Sequence, residues 1–160
     1  GEVDELNSAV GAALAWITKD GRLGPLRARL SVIQEELFVL GALLATPRAH
    51  LKKLGPEFGT AMPPQAAARL EREIDDMAAD LPAMKHFIMP GGSVPGSLLH
   101  LSRAVCRRAE RASRALEESS RLPDGILVYL NRLSDFLFTA ARWANARLGA
   151  KEVPWRGRKK

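Results

Sequence analysis

The sequence predicts an all-α fold, a five-helix bundle, and three observations carry that expectation. Apolar residues recur at alternating steps of three and four, no segment sustains the every-second-residue alternation of a strand, and Pro- and Gly-rich breaks separate the helical lengths. With 160 residues and 46% hydrophobic content, the chain has the size of one domain with a substantial core.

The first helix spans about 3–18, where Val3, Leu6, Val10, Leu14 and Ile17 share one face. The second has the clearest pattern: Leu23, Leu26, Leu30, Ile33, Leu37, Leu40 and Leu44 form a heptad seam ending near Thr46-Pro47. Residues 46–64 contain four prolines and read as an irregular or mobile loop. A third amphipathic helix over 66–81 carries Leu70, Ile74, Met77 and Leu81. MPGGSVPG at 89–96 breaks the chain before a fourth helix of roughly 97–118, and LPDG at 122–125 precedes a fifth over 126–148.

Charge is segregated within this frame. The formal net charge is +6, and two stretches, residues 102–116 and 151–160, each contribute +4, offset by acidic segments such as EREIDD at 71–76. Such concentration favours a discrete anion site over an extended phosphate-tracking surface. On the fourth helix, Leu98, Leu101, Val105, Ala109, Ala112 and Leu116 fall in one arc, with Arg103, Arg107, Glu110, Arg111 and Arg114 opposite. Like charges four residues apart disfavour an isolated helix, so the cluster calls for something negative nearby. On the fifth helix, Ile126, Leu130, Leu133, Leu137, Ala141, Ala144 and Leu148 form the main apolar stripe, and Asn131, Asp135 and Arg142 line up opposite. Tyr129, Phe136 and Trp143 repeat every seven residues beside it. That flank fits equally a central helix surrounded by partners and a surface meeting another subunit.

Several function classes find no support. No run reaches the roughly 18 apolar residues of a membrane span, and GEVDELNSAV lacks the pattern of a secretory signal. With its single cysteine, Cys106, the expectation is a soluble cytoplasmic protein. There is no G-x-x-x-x-G-K-[ST] loop and no G-x-G-x-x-G, while His50, His86 and His100 make no zinc signature. Gly91-Gly92-Ser93 is a weak anion-binding signal and more simply a turn. The residues alone lead to a helical bundle with an arginine-centred anion site. One alternative is an anion- or nucleic-acid-binding module, although no aromatics are interleaved with the arginines for stacking.

Five stretches together, GEVDELNSAVG at 1–11, LATP at 44–47, HFIMPGG at 86–92, SRAVCRRAER at 102–111 and NRLSDFLFTAARWAN at 131–145, resemble the PduO-type ATP:cob(I)alamin adenosyltransferase family. The similarity spans nearly the whole chain, and RRAER followed by NRLSD is its most specific part. The resemblance implies a homotrimer with ATP at the subunit interfaces, and transfer of the 5′-deoxyadenosyl group of ATP to the cobalt of cob(I)alamin with Mg²⁺ assisting. It implies a catalytic domain over 1–148 followed by a basic tail at 149–160. It assigns Arg107, Arg108, Glu110, Arg111 and Asn131 to the nucleotide, with Arg107 the main contact to the leaving triphosphate. It pairs Asp4 of one subunit with Arg103 of the next beside the ATP. Phe87, which by itself reads as core packing, is placed against the lower face of the corrin, where it excludes the axial ligand. No protein metal ligands are assigned. A reductase and an adenosylcobalamin-dependent enzyme are the further partners implied, with neither membrane nor nucleic acid. Family members also carry a T-G-D-x-G-x-T segment that wraps the triphosphate, and this sequence starts after it. The expectation is a segment ordered by ATP, with an inactive homologue as the alternative.

Overall fold

Helix ends follow from local backbone chemistry. The computed structural model describes residues 1–157 and contains α1 (Glu2–Ile17), α2 (Gly24–Ala45), α3 (Pro64–Ala79), α4 (Val94–Ser119) and α5 (Ile126–Leu148). α4 begins about a turn before the expected 97, because Ser93 caps it by accepting the Gly96 N–H at 3.1 Å and Pro95 suits its first turn. α5 lies between Gly125 at φ 87° and Gly149 at φ 70°, both in the left-handed region that glycine enters without a Cβ penalty. The loop expected at 46–64 is more ordered than its composition suggests. It contains a 3₁₀ turn over Arg48–Lys53, and the N–H of buried Met62 donates to the Asp124 carbonyl.

Two very short strands depart from the helical expectation. β1 (Ile88–Met89) and β2 (Val153–Pro154) pair antiparallel, Ile88 opposite Pro154 and Met89 opposite Val153. Two residues are too few for any alternation to show in sequence. The ladder folds part of the expected 149–160 tail back onto the loop before α4, while residues 158–160 lie outside the described residues. Among the described residues no helix is long and apolar enough to cross a membrane.

α1 packs against α2 and α4, α4 against α5, and α5 against α3. Tyr129, Phe136 and Trp143 are all buried within the chain, so α5 is a central helix and its aromatic flank is internal. The fourth-helix arc needs correction. Leu101 is 56% exposed and Leu116 40%, whereas Leu99, Ser102, Val105, Cys106, Ala109, Glu110 and Ser113 are buried. With α1 and α5 on either side, α4 buries the face where small side chains permit close helix approach, rather than the face that is most apolar.

Candidate functional site

Arg107 and Glu110, three residues apart on α4, lie on adjacent turns of one helix face. Arg107 Nη1 donates to Glu110 Oε2 at 2.5 Å. From α5, Asn131 Nδ2 donates to Glu110 Oε1 at 3.2 Å. Glu110 is 6% exposed, while the Arg107 side chain is 45% exposed. A buried carboxylate thus orients a half-exposed guanidinium and an amide from two helices. Both retain hydrogen-bonding capacity: the guanidinium keeps further N–H donors and the amide its carbonyl oxygen. Glu110 was expected on the exposed polar face; it is instead the buried anchor of the cluster.

The other arginines diverge. Arg108 turns to α1, where Nε donates to Glu2 Oε2 at 2.5 Å and Nη2 to Glu5. Arg111 is exposed. Arg103 and Arg107 line an open groove of about 390 Å³ with Ser134, Asp135, Phe138 and Thr139 of α5, and Arg103 Nε is buried there without a hydrogen-bond partner. Asp4 borders a different groove of about 420 Å³, between α1, α2 and α4, with Gly41, Leu44, Ala112 and Leu116. Within one chain, therefore, the described structure does not bring Asp4 and Arg103 into one groove.

Phe87 is 74% exposed, which removes core packing as its role. Its ring meets Trp155 edge-on with centroids 6.4 Å apart, and the Trp155 N–H donates to the Phe87 carbonyl at 2.7 Å. The pair borders an open cavity of about 780 Å³ with Met84, His86 and Arg156.

Sequence reasoning gave Phe138 no role and weighed His100 only against a zinc signature. His100 is 4% exposed, both ring nitrogens lack partners, and its ring stands edge-on to Phe138 at 5.9 Å. The available signal was spacing: 131, 135 and 138 repeat on one face of α5, as 100, 103 and 107 do on α4. Cys106 offers no nucleophile. It is buried, its Sγ donates to the Leu130 carbonyl at 3.3 Å, and burial pushes the thiol up, so it stays protonated.

The helical bundle thus presents an arginine and an amide held between two helices by one buried carboxylate, and, lining a separate cavity, an open aromatic pair. Comparison with known proteins makes the class specific. The family described as "Cobalamin adenosyltransferase" matches residues 1–144. A corrinoid adenosyltransferase of Bacillus subtilis is 43% identical over 157 residues, covering 97% of this chain and 77% of that one. The corrinoid adenosyltransferase MMAB of Mus musculus is 41% identical over 95% of this chain, which spans 63% of the mouse protein, under two thirds of its length. Among solved structures, a variant PduO-type ATP:corrinoid adenosyltransferase from Lactobacillus reuteri, complexed with cobalamin and ATP, superposes with a TM-score of 0.88 at 38% identity, covering 98% of this chain and 83% of that one. The chain belongs to the cobalamin adenosyltransferase family.

Proposed function

We propose that the protein is an ATP:corrinoid adenosyltransferase, which moves the 5′-deoxyadenosyl group of ATP to the cobalt of cob(I)alamin. The cobalt(I) electron pair forms the new bond to C5′. The C5′–O bond breaks, and its electron pair leaves with triphosphate. The metal centre is itself the nucleophile, so the protein's tasks are to orient the nucleotide and offset the leaving-group charge.

The Glu110-centred cluster carries this proposal. Glu110 fixes Arg107 so that its remaining guanidinium donors meet phosphate oxygens, and fixes Asn131 so that its free carbonyl oxygen meets a nucleotide donor. Arg111, one turn beyond Arg107, adds positive charge. Arg108, by holding Glu2 and Glu5, steadies the end of α1 that bears Asp4. Magnesium is expected on the triphosphate. Among the described residues no three His, Cys, Asp or Glu side chains come together as a metal cluster.

Exposed Phe87 and its neighbour Trp155 present an aromatic surface suited to the lower face of a corrin, with the folded-back tail beside it. Asp4 and Arg103 occupy separate grooves of one chain, and pairing across a homotrimer interface would join them. The direct test is adenosylcobalamin formation from ATP and chemically prepared cob(I)alamin. Arg107→Ala removes a charge-assisted contact of about 1.5–3 kcal/mol and lowers kcat/KM for ATP roughly ten- to hundredfold. A variant as fast as the parent would remove Arg107 from the site.

A further inference from the structure

Asn145, in the last turn of α5, is 1% exposed and spends its amide on one loop. Its Oδ1 accepts from the Ser93 backbone N–H and from the Ser93 hydroxyl, both at 2.8 Å, and its Nδ2 donates to the Gly91 carbonyl at 2.9 Å. Ser93 is also the N-cap of α4. Its hydroxyl accepts the Gly96 N–H and gives its own proton to Asn145, so cap and amide hold each other in place.

The fit leaves no spare volume. A Cβ on Gly92 would lie 2.5 Å from both amide heavy atoms of Asn145, and one on Gly96 would collide with Oδ1. Gly92 also needs glycine for its φ of 105°. On its other side the loop is tied by the β1–β2 ladder and by the Trp155 N–H on the Phe87 carbonyl. Phe87 itself is mostly exposed, so the core does not set its direction; the backbone on either side does.

We propose that Asn145 is a positioning residue for the corrinoid half of the reaction: by gripping residues 91–93 and the start of α4, it sets the direction in which Phe87 projects. This rests on the role proposed above for Phe87, displacement of the lower axial ligand. Helix α5 then serves both substrates, through Asn131 toward the nucleotide and Asn145 toward the corrin.

The test is electron paramagnetic resonance of cob(II)alamin bound with ATP, which distinguishes cobalt bearing the axial nitrogen from four-coordinate cobalt. Parent, Phe87→Ala, Asn145→Ala and Ser93→Ala are compared well below their melting temperatures. In Asn145→Ala the four-coordinate fraction falls several-fold and hydrogen exchange at 88–93 rises, while kcat/KM with chemically prepared cob(I)alamin stays within about twofold of the parent. Ser93→Ala keeps the backbone bond to Asn145 but loses the hydroxyl, and shifts both readouts in the same direction by less; it carries the test if Asn145→Ala does not fold. Gly96→Ala disturbs the parent but adds nothing in the Asn145→Ala background, where the colliding amide is gone. A parent-like four-coordinate fraction in Asn145→Ala, while Phe87→Ala abolishes it, overturns the positioning role alone. If Phe87→Ala leaves that fraction intact, the Phe87 role fails and this inference fails with it.

Discussion

Phe87 and His100 show how an ordinary side chain acquires meaning from its surroundings. Because Phe87 is 74% exposed, Phe87→Ala is expected to shift the melting temperature by no more than about 2 °C, the scale of a surface substitution. Its activity should divide by starting material: lost from cob(II)alamin with a mild reductant, retained from cob(I)alamin. Equal losses in the two assays would refute the assigned role. His100 is the reverse case, a buried imidazole with no partner. Burial first, and then the Arg103 guanidinium, hold its pKa below the ordinary imidazole value, against a weaker pull upward from Glu152. The unfolded chain therefore takes up this proton before the folded one does. His100's contribution to stability is complete above about pH 6.5 and declines as pH falls from there toward its depressed folded pKa. Melting curves between pH 7.5 and 5 should show that decline in the parent and a shallower one in His100→Gln. Parallel curves would show that other groups set the acid response.

Helix placement depends on polar ties as well as on apolar stripes. Glu36 of α2 accepts from Tyr129 of α5 at 2.7 Å and pairs with Arg69 of α3 at 2.6 Å, and Arg69 also reaches Glu73 at 2.8 Å. Burial, together with the facing Glu36 carboxylate, holds the Tyr129 phenol protonated well above its usual range, so it remains a donor. Tyr129→Phe removes one hydrogen bond and leaves the ion pair, for an expected cost of about 1 kcal/mol or 2–4 °C in Tm. Arg69→Met should cost more, because it leaves Glu36 and Glu73, each with a side chain only 16% exposed, without their shared counter-charge. Calorimetry of the two variants ranks them, and equal shifts would mean that the arginine's charge adds no more than one hydrogen bond does. Tyr129 was legible in the sequence as an apolar flank; its hydroxyl partner was not, because Glu36 is 93 residues away.

At the scale of the whole molecule, the separation of Asp4 from Arg103 leads to a prediction about assembly. If each site takes Asp4 from one subunit and Arg103 from its neighbour in a homotrimer, Asp4→Asn and Arg103→Ala are each impaired as pure proteins. Mixed trimers then contain interfaces where both native residues meet. Refolding or exchanging the two variants together should restore a fraction of parental activity, and sedimentation at micromolar concentration should show trimers throughout. A mixture no more active than its components, or a monomer that still turns over ATP, would refute the shared site.

Helix number, the seam of α2 and the limits of α5 were legible because they rest on repeats of three and four residues and on glycine and proline chemistry, both local along the chain. The seam leucines from Leu23 to Leu40 are buried as the periodicity required. The arginine cluster was legible as composition, and its proposed roles came through resemblance in five motifs. Tertiary structure alone decided which arginine faces which carboxylate, that Phe87 lies outside the core, and that α4 buries its small-residue face rather than its most apolar one. It alone joined Asn131 to Glu110 across 21 residues and Asn145 to Ser93 across 52. Local periodicity determines which face of a helix is apolar; the partner that meets that face is determined by how distant segments pack, and hydrogen bonds between them leave no repeat in the sequence.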